Sequence, residues 1–170
     1  ASGVADNTIV IFTSDNGGLS TSEGMPTSNL PLRGGKGWIY EGGIREPWII
    51  RYPGVTKAGA VSEEAICSID LYPTVMETSG IETKHTIDGV DLAPALKNGS
   101  LDRDALYWHY PHYHHKGIAP SGSIRKGNYK LIEWFEPSVL EGPDSHGAME
   151  LFDLQRDVGE RDNLTDRFPE

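Results

Sequence analysis

The sequence predicts an α/β region over residues 1–103, followed by a small antiparallel β-sheet subdomain over residues 104–170. Three observations predict this. Residues 8–13, TIVIFT, form a continuous apolar, β-branched run of the kind that suits a strand buried on both faces. Helix start and stop signals follow it, around residues 70–80 and 91–99. From about residue 104 the chain changes to short aromatic-rich runs: ALYWHY, GSIRKG, NYKLIEWF and MELFDL.

The first strand stops at Ser14-Asp15-Asn16-Gly17-Gly18, and residues 14–37, rich in Gly, Ser, Asn and Pro, read as loop. Pro47–Tyr52 (PWIIRY) is the second strand, closed by Pro53-Gly54, and Glu64–Ser68 is a candidate third. Asp70 stands at the N-cap of a helix that tolerates Pro73 in its first turn and stops at Gly80. Asp91 caps a shorter helix over Leu92–Asn98, ended by Gly99. In the second region Lys126-Gly127-Asn128 makes a hairpin turn between two strands. A strand buried on both faces needs neighbours on each side and helices above and below. Two or three strands and two short helices cannot cover TIVIFT. The expectation is therefore association around that strand, or further sheet upstream of Ala1, with an isolated chain that is weakly stable or oligomeric.

Composition narrows the function classes. The chain carries a net charge of −10, with a sequence pI near 5.0. Non-specific nucleic-acid binding relies on clustered Lys and Arg, so a nucleic-acid partner is not expected. No run approaches the ~18 consecutive apolar residues of a membrane-spanning helix, so no membrane partner is expected either. The single Cys67 excludes an internal disulfide and a multi-thiolate metal site. Its apolar setting, AICSIDL, reads as a buried, inert thiol. The chain opens ASGVADN, without the apolar core of a signal peptide.

Three stretches carry residues suited to chemistry. Asp15 and Asn16 lie at the carboxyl end of a strand, where open α/β sheets gather ligands. A carboxylate and an amide carbonyl are hard oxygen donors that suit Ca²⁺ or Mg²⁺ rather than zinc. Calcium takes ~6–8 oxygens, so two donors need co-ligands from elsewhere, and an Asx-turn would use the same two residues. The second stretch, LRGGKGWIYEGGIREPWIIRYPG (residues 32–54), sets Lys36, Glu41 and Arg45 among glycines. It fits neither a P-loop nor a dinucleotide fingerprint. Glycines let the backbone approach a ligand closely while Lys36 offers a point charge to a tetrahedral oxyanion; a solvated connection is the alternative. The third, WHYPHYHHKG (residues 108–117), holds His109, His112, His114 and His115. Their spacing matches no common closed zinc pattern, and the interleaved aromatics suit a sugar- or aryl-binding surface or an ordinary surface loop. His85 and His146, among polar residues, read as solvent-exposed.

Taken together, SDNG followed by PLRGGKG, EGGIREP and a Pro-Gly resembles the second half of the sulfatase catalytic domain, in the alkaline-phosphatase superfamily. The resemblance continues in order through SIDLYPTVMETSGI, DGVDLAPAL, SIRKGNYKLIEW and ELFDLQRDVGERDNL, covering nearly the whole chain. It implies a partial alkaline-phosphatase-like sheet followed by the small antiparallel subdomain. It implies that Asp15 and Asn16 ligate calcium, that Lys36 is a catalytic residue contacting the sulfate, and that His112 and His114 touch substrate. In the family a hydrated formylglycine attacks sulfur and the alcohol leaves. Formylglycine is made from Cys or Ser in C-x-P-x-R or a close variant, which these residues do not contain. The paired acids that complete the family's calcium site are also missing from them.

The resemblance therefore implies a C-terminal portion that holds no nucleophile, shares its calcium with ligands outside the chain and is inactive alone. Its partners would be the N-terminal half of the same protein and a sulfated small molecule or carbohydrate. Family habit places it in the periplasm or outside the cell. A phosphate or phosphonate ester hydrolase of the same superfamily is one alternative; a non-catalytic calcium- or sulfated-sugar-binding module is another.

Overall fold

A computed structural model describes residues 2–20, 24–115, 118–136 and 148–168. His146 and the 116–117 end of the histidine-rich stretch lie outside the described residues. The chain divides into two compact units, one of Ala1–Phe12 with Trp48–Asp104, the other of Thr13–Pro47 with Ala105–Glu170.

In the first unit, β1 (Val10–Phe12) pairs antiparallel with β2 (Ile49–Arg51), Ile11 opposite Ile50. The continuous apolar run had suggested burial on both faces. Instead Val10, Phe12 and Ile49 are 52%, 62% and 64% exposed. These side chains stay largely open within the unit, because two short strands cannot cover each other. The third strand expected at Glu64–Ser68 does not form. Residues 61–67 are irregular, and Ser68–Asp70 is a single 3-10 turn leading into α1 (Leu71–Thr78). The helix stops where the sequence placed its stop: Gly80 takes φ +65, and the Ile81 N–H reaches back to the Met76 carbonyl at 3.0 Å.

Asp70 precedes α1 but does not cap it. Its fully buried carboxylate turns inward, accepting the N–H groups of Cys67 (2.7 Å) and Val90 (3.0 Å) and both guanidinium nitrogens of Arg103. Thr74 continues the network, its hydroxyl bonded to the Asp70 carbonyl at 2.6 Å and to the Leu92 N–H at 2.9 Å. Helix α2 (Ala93–Leu96) follows, shorter than the expected Leu92–Asn98; Leu92 stands at its N-cap position, and Asp91, one residue earlier, accepts the Ala93 N–H at 3.1 Å. Cys67 is half-buried rather than buried, and free.

The second unit carries a four-stranded antiparallel meander: β3 (Leu106–Tyr110), β4 (Ser121–Lys126), β5 (Tyr129–Trp134) and β6 (Met149–Asp153). The β4–β5 hairpin turns at Gly127-Asn128, closed by the Lys126–Tyr129 pair, as the turn signal predicted. Alternation along β5 buries Lys130, Ile132 and Trp134 on one face. Ile132 and Trp134 join Ile118, Ala119, Phe152 and Leu154 in a core completed by Ile39 and Tyr40 of the glycine-rich segment. Burying each large apolar side chain contributes about 1.5–3 kcal/mol, so segment 33–45 is anchored to the sheet through its own apolar residues. Among the described residues, no helix is long and apolar enough to cross a membrane.

Candidate active site

The residues expected to do chemistry lie in the second unit, and backbone contacts lock their loops together. The Gly17 N–H donates to the Gly43 carbonyl (3.0 Å), the Lys36 N–H to the Gly18 carbonyl (3.0 Å), and the Gly42 N–H to the Arg33 carbonyl (2.8 Å). Approach this close excludes side chains: a Cβ on Gly17 would overlap the Gly42 carbonyl oxygen. Asn29 fastens the same junction. Its amide nitrogen donates to the carbonyls of Gly18 (3.0 Å) and Gly34 (3.1 Å), and its amide oxygen accepts the Gly18 N–H (3.1 Å). The segment bearing Asp15 and Asn16 is thereby fixed to the loop bearing Lys36.

Asp15 is exposed and Asn16 half-buried. Among the described residues neither side chain makes the local backbone hydrogen bonds of an Asx-turn, although the Ser14 hydroxyl donates to the Asn16 carbonyl at 2.9 Å. Glu46 stands near enough to matter electrostatically: its carboxyl is raised above the usual range, first by burial and then by the Asp15 charge. Hard oxygen donors left outside local turns, beside a carboxyl that resists ionising, fit a hard divalent cation. Asp15 and Asn16 would supply two of its ligands; the described residues contain no cluster of three or more that would hold it alone.

Lys36 is half-buried within the loop. Next to it Gly37 takes φ +94, and the His114 imidazole lies across it, 3.0–3.3 Å from where a Cβ would stand. The structure thus brings His114 to the Lys36 loop. His112 is exposed and meets Tyr110 edge-on, ring centroids 5.6 Å apart. His109 packs against Phe135 and His114 against His115. A cavity of about 700 Å³ borders the loop, lined in part by Ser20, Thr27, Asn29, Arg33, Gly34 and Arg161.

Beneath the loop lies a buried ionic cluster. Lys130 on β5 donates to the Ile39 carbonyl (2.8 Å), Glu41 Oε1 (3.1 Å) and Glu160 Oε1 (2.8 Å). Burial raises the Glu160 carboxyl above the usual range, against the lowering effect of Lys130. Sequence reasoning missed Asn29, Glu46, Lys130 and Glu160. Glu160 and Lys130 fell inside stretches that carried the family resemblance, but no local pattern marked either as part of a site.

Residues 35–168 match the family model described as N-sulphoglucosamine sulphohydrolase, C-terminal. A sulfatase of Formosa agariphila is 36% identical over 99% of this chain and 31% of its own length. Human arylsulfatase A is 34% identical over 95% of the chain and 34% of its own. A solved structure in complex with its substrate D-glucosamine-2-N,6-O-disulfate superposes with a TM-score of 0.76 at 31% identity, covering 95% of this chain and 31% of that one. The chain thus spans about a third of the length of the relatives it matches. It belongs to the N-sulphoglucosamine sulphohydrolase C-terminal family and corresponds to the C-terminal portion of a sulfatase.

Proposed function

We propose that this chain supplies one side of the active site of a sulfatase that hydrolyses the sulfate esters of carbohydrates or aryl alcohols, acting outside the cytoplasm. The observation that carries this reading is the glycine-locked junction that fixes Asp15 and Asn16 to the Lys36 loop. A calcium ion held partly by Asp15 and Asn16 would polarise a sulfate oxygen. Lys36 contributes what this chain can contribute itself: a fixed positive charge for the oxyanion of the transferring group, in place before reaction. His114 borders that position across Gly37, and His112 reaches substrate from the exposed rim. The hydroxyls and guanidinium groups around the neighbouring cavity suit the hydroxyls and anionic groups of a sulfated sugar. With no C-x-P-x-R stretch among its 170 residues, the chain alone has no nucleophile and is inactive.

The test is turnover of an aryl sulfate and the matching aryl phosphate by an enzyme that contains this chain within a whole catalytic domain. Lys36→Ala is expected to cost about 10²–10³-fold in sulfate ester turnover, as for other preorganised charge stabilisers. Undiminished turnover by Lys36→Ala removes Lys36 from the mechanism. A preference for the phosphate ester overturns the sulfatase reading in favour of a phosphohydrolase, and calcium-dependent binding of a sulfated sugar without turnover turns it into a binding module.

A further inference from the structure

The Lys36 loop is gripped from below by a cluster that the chemistry above does not use. Glu160 accepts the Glu41 N–H on Oε2 at 2.6 Å, and its backbone carbonyl accepts Arg33 Nη1 at 2.9 Å. One residue therefore holds the chain at positions 33 and 41, on both sides of Lys36. Between these points Lys130, paired with Glu160, holds the carbonyl of Ile39. The Lys130 ammonium is fully buried, and its three donors meet three acceptors. Glu160 keeps φ +51, a region that costs a residue with a side chain and persists where surroundings over-determine it. Buried ion pairs are a weak route to stability, because desolvation offsets their attraction. What this one does geometrically is specific: it removes freedom from a loop with glycines at 34, 35 and 37.

We infer that Glu160, oriented by Lys130, is a positioning residue for Lys36, fixing loop 33–41 so that the ammonium meets the transferring group in one place. The inference rests on the reading that Lys36 contacts that group. It predicts coupling between the two residues that support of the fold alone would not produce. In an enzyme containing this chain, Glu160→Ala is expected to lower kcat/KM for an aryl sulfate about 100-fold, the scale of a misplaced catalytic group. In a Lys36→Met background the same change should cost less than about 3-fold, because the residue it positions is gone. Glu160→Gln, which keeps an oxygen for the Glu41 N–H but turns an amide NH2 toward the Lys130 ammonium, should recover only part of the loss. Equal fold-losses in both backgrounds overturn the proposal.

A second measurement needs no turnover. In the chain itself, Glu160→Ala should speed amide hydrogen exchange across Gly34–Gly43 by about 10-fold or more while leaving Leu71–Thr78 unchanged. Unchanged exchange in the loop overturns the clamp. If the wild-type enzyme hydrolyses no sulfate ester, the sulfatase reading fails, and the exchange result alone decides whether the clamp exists. Should Glu160→Ala fail to fold, Glu160→Asp, which keeps the charge but is too short to reach the Glu41 N–H, replaces it in both measurements.

Discussion

Each compact unit contains a buried carboxylate hub, and the two are built on different charge balances. In the first unit Asp70 faces Arg103, one anion to one cation, and two backbone N–H groups complete its hydrogen bonding. In the second, Lys130 faces two carboxylates, Glu41 and Glu160. The next cation, Arg45, stands 3.6 Å from Glu41 Oε2 with its own side chain 45% exposed, and that oxygen has no hydrogen bond. The consequence is visible in Glu160, whose carboxyl burial pushes upward despite the lysine beside it. A balanced hub tying together Cys67, Val90 and Arg103 is what a static bolt requires. An anion-rich hub is costlier, and this one is attached to the loop that presents Lys36. The contrast teaches where the second unit gives up stability for geometry.

The sharpest way to break the comparison is to remove the buried cation that both carboxylates share. Lys130→Met leaves two buried carboxylates facing each other and should destabilise the chain by about 3–5 kcal/mol, read from urea midpoints at neutral pH. A loss under about 1 kcal/mol would mean that solvent already reaches the cluster and that the two hubs do not differ in kind. The balanced hub should respond less. Asp70→Asn keeps the shape and part of the hydrogen bonding while cancelling the charge opposite Arg103. The expected cost is about 1.5–3 kcal/mol, the range for hydrogen bonds to a charged group. Because Arg103 retains 10% side-chain exposure, part of its charge can be satisfied by water.

The hubs also mark the limit of what the sequence discloses. The strands of the second unit were legible because alternation and aromatic runs are local, and the β4–β5 turn because Gly127-Asn128 is a local signal. Asp15, Asn16 and Lys36 were legible as candidates because hard donors at a strand end and a lysine among glycines state their chemistry in a few residues. The partners of Lys130 are 89 and 30 positions away, and Glu160 grips Glu41 across 119. No periodicity spans such separations. Asp70 was seen in the right place but assigned the wrong task. A cap pattern records that an acid precedes a helix; it does not record that Arg103, 33 residues on, draws the carboxylate inward. The exposed β1–β2 ribbon has a similar cause: its apolar run shows what the strand can bury, and the covering surface is not among its neighbours in the unit.

The smallest effect decides most finely whether the second hub is anion-rich in practice. Glu160 is raised in the folded chain above the ordinary glutamate value of 4.5. From that value up to the raised one, the folded chain holds a proton that the unfolded chain has released, so stability falls as pH rises through the window. The contribution is complete below the unfolded value and is lost as pH climbs through the folded one. Glu160→Gln cannot titrate. The stability of wild type minus that of the variant should therefore decline with rising pH, by no more than about 1.4 kcal/mol per pH unit for a single proton. Urea midpoints of both proteins, taken from about pH 4 to about pH 8, give this difference directly. A difference that stays flat or grows with pH would mean that Lys130 compensates Glu160 fully. The second hub would then be as balanced as Asp70 with Arg103, and Glu160 would hold the Lys36 loop at no electrostatic cost.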